Sequence, residues 1–357
     1  MHLNIVGLIL SNNSILIICP SFNGYQNEIK HGVEQKGYES DLITYNEEIA
    51  FGINKLKYLL ILLVRCIFCI FCMDYKKSES YAKIENYIYL RGKENLNNYL
   101  QSEIDKLIKN GKIYKSVLVV KGFGLNYSTI KKINLASQNN SILYQWDPLL
   151  RYPDVLKTYD HYQKVFTFQS TDVFKYPESI YFPTFYRKDK SLEKCTLEYD
   201  LCFVGVFAIG RYFRLNKIKK KCKALNLRVY FKLYSRNTFL RLFVPSDYLI
   251  DKKLGAVELR EIYSRSKCVV DLCHSGQDGI TQRVFQALSL SRYVFSDTPD
   301  IEKLKKLHPS LKTLVFDFNT IENLGNATLE NTCFLEAKNS IESYEVSNWL
   351  STVLDIK

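Results

Sequence analysis

Short apolar runs alternate with amphipathic stretches through the first half of the chain. The apolar runs are β-branched and bounded by polar residues, which predicts strands, and the stretches between them have helical spacing. The predicted strands are 14–19, 40–44, 116–120, 141–144 and 164–168, and the predicted helices are 27–35 and 128–136. This alternation predicts a parallel sheet that is covered by helices on both faces.

The same alternation restarts in the second half, after a charged and irregular stretch at 183–198. Strands are predicted at 200–205, 228–233, 267–272 and 292–295, and helices at 257–264 and 340–354, with a basic helix beginning at Arg211. The predicted fold class is α/β, with two Rossmann-like doubly wound domains that face each other across a cleft. We expect an N-terminal domain at 1–182, a linker at 183–198, a C-terminal domain at 199–335 and a C-terminal helical segment at 336–357 that can pack back on the N-terminal domain.

A candidate phosphate-binding loop follows the predicted strand 267–272. The chain there passes through a polar loop into a helix, and the free N–H groups of a helix start attract anions. Thr281 is the expected N-cap, and Gly279 would let the backbone approach a ligand closely. Arg283 adds a planar fork that suits phosphate oxygens, and Gln286 would lie on the same face one turn later.

The charge of the chain points to an anionic partner. The 357 residues include 49 Lys and Arg against 37 Asp and Glu, which gives a net charge of +12. The stretch from Arg211 to Arg241 contains no acidic residue. This run is interpreted either as a solvated helix face or as a basic cleft wall or membrane-facing patch.

The cysteines and one apolar segment bear on the cellular compartment. Ten cysteines scattered over a chain of this length favour a reducing cytoplasm. Cys66, Cys69 and Cys72 have the spacing of a partial iron–sulfur ligand set, but they lie in an apolar run without a nearby fourth ligand. The segment 58–73 is interrupted by Arg65 and is too short to span a membrane, so it predicts a buried helix or one lying in the bilayer interface.

The residues of the phosphate loop also carry a resemblance to a known family. Gln277, Gly279, Thr281, Arg283, Phe285, Ala287 and Leu288 match the pattern Q-x-G-x-T-x-R-x-F-E-A-L. In this pattern the chain resembles the bacterial surface-polysaccharide glycosyltransferases of GT-B fold, which build lipopolysaccharide, O-antigen or capsule. The likeness extends to 203–205 with Arg211 downstream, to 144–147 and to 344–349.

The resemblance implies a nucleotide-sugar site in the C-terminal domain. Gly205 and Arg211 would line the diphosphate, and the loop and helix start would cradle it. The expected donor-site residues are Gly205, Arg211, His274, Gln277, Gly279, Thr281, Arg283 and Gln286. Gln286 stands where the family has a glutamate that binds ribose hydroxyls, so donor binding would be altered or activity weakened. No D-x-D motif is present, and we expect neither a metal nor a cofactor.

An inverting enzyme would also need a base for the acceptor hydroxyl. Asp147, at a predicted strand end, is the first candidate, and His31 and Glu28 are weaker ones. Asp147 is alternatively a turn or cap residue before Pro148. His274 is equally well a hydrogen-bonding loop residue.

The sequence therefore predicts a metal-independent glycosyltransferase that uses a nucleotide-sugar and a lipid-linked oligosaccharide acceptor. We expect it in the cytoplasm at the inner face of the plasma membrane, in peripheral contact with anionic lipid. Alternatives are a nucleotide-sugar 2-epimerase of the same fold and a non-catalytic partner in glycan assembly. Nucleic-acid binding is disfavoured because no recognition motif is present.

Overall fold

The computed structural model describes residues 13–46, 79–149, 152–192, 195–235, 244–273, 276–329 and 332–357, with the backbone alone at 79–89 and 190. The apolar segment 58–73, its three cysteines and His274 lie outside the described residues. The described chain forms two parallel sheets of six strands each, with helices between the strands. The predicted α/β class with two Rossmann-like sheets is confirmed.

The first sheet is built from the first half of the chain. Its strands are β1 (Ser14–Pro20), β2 (Glu39–Tyr45), β3 (Ser116–Val120), β4 (Ser141–Gln145), β5 (Lys164–Thr167) and β6 (Ile180–Tyr181), in the order β2-β1-β3-β4-β5-β6. Its helices are α1 (Tyr25–Gln35), α2 (Glu79–Lys109) and α3 (Tyr127–Ala136). Strands β1, β3 and β4 are buried along their whole length, as expected of a sheet covered on both faces.

The second sheet is built from the second half. Its strands are β7 (Tyr199–Val206), β8 (Val229–Tyr234), β9 (Leu249–Ile250), β10 (Ser266–Asp271), β11 (Tyr293–Ser296) and β12 (Val315–Phe316), in the order β12-β11-β10-β7-β8-β9. Its helices are α4 (Ile209–Ala224), α5 (Ala256–Ser264), α6 (Gln282–Ser289), α7 (Ile301–Leu307), α8 (Thr332–Ser340) and α9 (Val346–Leu354). The apolar faces of α4 to α8 form one continuous core with the sheet.

The compact units of the chain are not continuous in sequence. One unit contains Met1–Phe22, Val33–Gln145 and Tyr152–Val165. The other contains Asn23–Gly32, Trp146–Arg151 and Phe166–Lys357. Two short segments that precede the expected boundary at 182 thus belong with the C-terminal half, and they carry all three candidate bases.

The prediction of one helix over 340–354 is wrong. A 3-10 turn at Glu342–Tyr344 precedes α9, and Glu345 between them has an extended backbone. The reason is a long-range pairing, because Tyr186 donates its N–H to the Tyr344 carbonyl and accepts from the Val346 N–H. The Glu345 side chain then caps α9 by accepting from the Ser347 N–H at 2.9 Å.

The stretch predicted as a linker is partly buried. Phe185 and Tyr186 are inaccessible to solvent, and the Phe185 ring lies 5.1 Å from that of Trp349 on α9. The Trp349 indole N–H donates to the Pro183 carbonyl at 3.0 Å. Residues 183–186 are therefore a packed part of the second unit.

Candidate functional site

The strand order of the second sheet defines where a ligand would bind. Counted along the chain from β7, the order across the sheet is 3-2-1-4-5-6, that of dinucleotide-binding sheets. The connections leave in opposite directions from β7 and β10, which are neighbours. Ligands of such sheets bind in the crevice beyond the carboxyl ends of these two strands.

Two arginines bridge these strand ends. Arg211 on α4 donates to the carbonyl of Val206, at the end of β7, at 2.8 Å, and to that of Leu272, just after β10, at 3.2 Å. Arg283 on α6 donates to the Val204 carbonyl of β7 at 3.4 Å and to Asp271 of β10 at 2.7 Å. The two guanidinium carbons lie 5.4 and 5.0 Å from the centre of the Phe203 ring, which both cations share.

Asp271 organises the polar side of this crevice. Its side chain is 0% exposed, and its Oδ1 accepts from the Thr281 hydroxyl and from Arg283, each at 2.7 Å. Its Oδ2 accepts from the Thr298 hydroxyl at 3.1 Å. The Thr281 Oγ1 also accepts from the Arg283 N–H at 3.3 Å, so Thr281 is the N-cap of α6 as predicted.

The charge near these strand ends is unbalanced. Arg214 on α4 donates to the Cys273 carbonyl and pairs with Asp297, which follows β11. Three guanidinium groups but only two carboxylates thus lie near these strand ends. Burial, followed by repulsion from Arg283, lowers the pKa of Arg211 to about 10, so Arg211 remains a cation at neutral pH. An anion at the crevice would relieve this excess.

Each of the two bridging arginines also keeps one donor without a protein acceptor. The buried Nε atoms of Arg211 and Arg283 have no hydrogen-bond partner among the described residues. Unpaired buried donors are costly, so they are uncommon outside functional sites. An anion bound in the crevice would provide an acceptor for these donors.

Two glycines of the predicted site are needed for packing. A Cβ on Gly205 would lie 2.9 Å from the Phe203 ring that carries the arginines. A Cβ on Gly279 would lie 2.7 Å from both the ring and the carbonyl oxygen of Phe168. Glycine is thus required at 279 by packing, because Phe168 fills the space where a side chain would be, and close approach of its backbone to a ligand stays a prediction.

The loop that carries Gly279 is held by the segment after β5. Gln169 accepts from the Asp278 N–H at 3.1 Å, and the Thr171 hydroxyl donates to the Asp278 carboxylate at 2.9 Å. The Ser170 N–H donates to Asp300 at 3.1 Å. Gln277 precedes Asp278 in this loop and is half-buried. The conformation of the loop therefore depends on residues that the sequence motif does not contain.

The structure gives Gln286 a different environment from the one expected. Its amide donates to the Arg187 carbonyl at 3.0 Å and to the Ser289 hydroxyl at 3.2 Å, and it accepts from the Arg187 N–H at 3.4 Å. Gln286 is buried, and its amide holds Arg187, in the stretch predicted as a linker, against α6. This geometry explains a glutamine here, since a carboxylate cannot donate to a carbonyl.

We therefore expect Gln286→Glu to destabilise the protein. The substitution removes a donated hydrogen bond and sets a carboxylate against the Arg187 carbonyl, which costs about 1–3 kcal/mol of unfolding free energy. Urea unfolding measures the loss. Gln282→Glu on the same helix is the matched control, because the Gln282 side-chain nitrogen has no partner among the described residues. A Gln286→Glu protein of unchanged stability that binds UDP more tightly would restore the ribose-binding interpretation.

Of the three candidate bases, Glu28 is in the most specialised environment. It is buried on α1 and forms an ion pair with Arg260 of α5, which is also buried. Its second carboxylate oxygen, Oε2, has no partner among the described residues. Burial raises the pKa of Glu28, and the Arg260 cation opposes that rise. Sequence reasoning missed Arg260, which has no local signal.

Asp147 and His31 are placed differently. Asp147 is half-buried in the loop after β4, and the ring of the preceding Trp146 lies 5.9 Å from that of Tyr25, one turn before Glu28 on α1. The same loop is held by Asp172, which accepts from the Leu149 N–H at 3.1 Å. His31 is exposed on α1. The structure thus brings the Asp147 loop close to the start of α1.

Within the described ranges, no cluster of three or more His, Cys, Asp or Glu side chains is arranged to bind a metal ion. In the same ranges, every helix is too short or too polar to cross a bilayer.

Comparison with known proteins identifies the fold. No protein family and no curated protein matches the sequence. Among solved structures, an α-glucosyltransferase in complex with UDP and a 13-mer DNA containing an HMU base has a TM-score of 0.51 at 11% identity, covering 94% of this chain and 97% of that one. A variant of Os79 from O. sativa in complex with UDP has a TM-score of 0.50 at 8% identity, covering 94% and 98%. The chain thus has the GT-B fold of these glycosyltransferases.

Proposed function

We propose that this protein transfers a sugar from a nucleotide-sugar to an acceptor, with the donor diphosphate at the carboxyl ends of β7 and β10. The observation that carries the proposal is the pair of buried guanidinium groups, Arg211 and Arg283, bridging the two strand ends in a sheet of nucleotide-binding topology. Arg214 and the start of α6 add to the positive potential at the same edge.

The proposed chemistry needs this fixed positive charge. When the bond between the sugar and the diphosphate breaks, negative charge develops on the leaving phosphate. Arg211 and Arg283 are already oriented by backbone carbonyls and by Asp271, so they can stabilise that charge with little reorganisation. The arginines supply the charge that a divalent ion provides elsewhere, and we therefore propose a metal-independent reaction.

The proposed proton acceptor for the attacking hydroxyl is Asp147, with Glu28 and His31 as the alternatives. Asp147 lies in a strand-end loop that Asp172 positions. Glu28 has a raised pKa and one oxygen without a partner in the described part of the chain, which suit a base, but its other oxygen is held by Arg260. Exchange of each carboxylate for its amide and of His31 for glutamine, with single-turnover rates as the readout, distinguishes them.

The finer part of the proposal concerns the acceptor. We propose a growing, lipid-linked bacterial surface glycan at the cytoplasmic face of the plasma membrane. Its support is the resemblance around Gly279 and Arg283 and the net charge of +12. A 2-epimerase or a non-catalytic assembly partner would use the same diphosphate site, and product analysis with a labelled UDP-sugar separates these outcomes.

We expect UDP to stabilise the purified protein in a thermal-shift screen that also contains GDP, CDP, CMP and ADP. UDP is tested first because both similar structures hold it. Arg214→Gln should weaken binding of the stabilising diphosphate about tenfold, since it removes one cation that is only 39% exposed. Isothermal titration measures the dissociation constant.

The matched control is Arg228→Gln. Arg228 also pairs with an aspartate, Asp200, but at the opposite, amino-terminal edge of the same sheet. The Arg228→Gln protein should bind the diphosphate with the same affinity as the wild type. Equal weakening in both variants would show only an effect of net charge, and a folded protein that responds to none of the nucleotides would refute the proposed donor site.

A further inference from the structure

Helix α4 presents an apolar surface to solvent at its start. Ile209 and Phe213 are 68% and 61% exposed, and they lie one turn apart on the same side of the helix. Val206, at the end of β7 just before the helix, is also exposed. Three large apolar side chains are thus gathered beside the proposed diphosphate site without being part of the core.

The same side of α4 becomes cationic toward its end. Lys217, Lys220 and Lys223 are exposed and follow Phe213 along the helix. The neighbouring Lys219 and Lys221 are held within the protein, because Lys219 pairs with Asp247 and Lys221 donates to the Phe318 carbonyl. The Lys217 ammonium group lies 4.3 Å from the centre of the Phe318 ring. We call Ile209, Phe213, Lys217, Lys220 and Lys223 the outward face of α4.

The fold does not need the apolar part of this face. Leu215, Ile218 and Cys222 bury the opposite side of α4 in the core, and Arg211 and Arg214 reach the strand ends. The helix is therefore held firmly from one side. Its outward face is preformed, with apolar side chains at one end and ammonium groups at the other.

We propose that the outward face of α4 binds an anionic lipid bilayer. Ile209 and Phe213 would enter the interface, and the three lysines would face the headgroup phosphates. Charge complementarity favours this occupant, because a second copy of the chain would bring the same lysines together. Nucleic acid would match the lysines but leave the apolar pair unused.

The outward face of α4 adds a membrane contact to the proposed function. Its relevance to sugar transfer rests on that function, but the membrane binding itself does not. Arg211 and Arg214, two of the three arginines at the proposed diphosphate site, lie on the other side of the same helix, about 10–12 Å from its outward face. A bilayer in contact with α4 would therefore hold the donor site close to the headgroups, which is where a lipid-linked acceptor carries its sugar.

Vesicle cosedimentation tests the proposal. We expect binding to vesicles of phosphatidylcholine with about 30% phosphatidylglycerol, and little binding to phosphatidylcholine alone. Ile209→Ser/Phe213→Ser should lower the partition coefficient about tenfold or more. Lys220→Gln/Lys223→Gln should lower it about 25-fold at low salt, at about fivefold per lysine. The matched control, Leu307→Ser/Leu335→Ser, removes two equally exposed apolar side chains elsewhere in the same unit.

Three results would overturn the proposal. One is unchanged vesicle binding by both α4 variants, which would locate membrane contact elsewhere in the chain. The others are retention on an RNA oligonucleotide without vesicle binding, and a concentration-dependent dimer that only the α4 variants lose. The response to UDP is measured in parallel, since these variants leave the arginines intact. Vesicle binding without any nucleotide response would retain the membrane surface and reject the proposed transferase.

Discussion

Arg283→Ala is expected to lower the free energy of unfolding by about 3–5 kcal/mol, because it leaves the buried carboxylate of Asp271 without its cation. Arg283 is only 17% exposed, and it also contributes a hydrogen bond to Val204. From the sequence alone, Arg283 was expected only as a ligand of phosphate oxygens. Urea unfolding, monitored by circular dichroism, measures the loss.

A double-mutant cycle supplies the control for this prediction. Asp271→Ala/Arg283→Ala removes both charges, so its destabilisation should be smaller than the sum of the two single effects by about 2 kcal/mol or more. Additive losses would mean that the two side chains do not depend on each other. A stable Arg283→Ala protein that fails only to bind nucleotide would return Arg283 to the simple role of a phosphate ligand.

Arg260→Ala is expected to have an effect of similar size, about 3–5 kcal/mol at pH 8. It leaves Glu28 buried without its ion-pair partner, and the effect of burial, opposed then by Arg187 alone, would raise the pKa of Glu28 further. A carboxyl whose pKa is higher in the folded than in the unfolded state contributes stability at low pH that is lost as pH rises. The deficit relative to the wild type should therefore grow from pH 5 to pH 8.

Glu28→Gln in the Arg260→Ala background provides the rescue. The neutral amide needs no cation, so the double variant should recover much of the stability at pH 8 and lose the additional pH dependence. If Arg260→Ala shows the wild-type pH profile, Glu28 remains uncharged or solvated in the folded protein, and the ion pair is not what holds α1 to α5.

Much of the fold could be predicted because it depends on local patterns. The buried strands β3 and β10 are short β-branched runs, and Thr281 caps α6 through its own neighbours. Helix α2 was not predicted, although its signal was available. Its buried Leu96, Leu100 and Ile104 recur every four residues within a mostly polar stretch.

The candidate site was predictable only in outline. The motif around Gly279 and Arg283 predicted a phosphate-binding loop, which stays a prediction, and the GT-B fold agrees with the resemblance on which it rested. Asp271 was available as a carboxylate at the end of a buried strand, but sequence reasoning did not include it. Arg260 had no signal at all, since its partner Glu28 lies 232 residues away.

The sequence by itself therefore determined the α/β class, the two halves, most element boundaries and the place of the loop. These follow from periodicity, capping and turn chemistry, which act over a few residues. Only the tertiary structure decided what the side chains in that loop do. It sets Gly279 against Phe168, Gln286 on the Arg187 backbone and two arginines across the ends of β7 and β10. Apart from the contact of Arg211 with nearby Val206, these contacts join residues far apart in the chain, and no local pattern encodes which distant partners a fold will bring together.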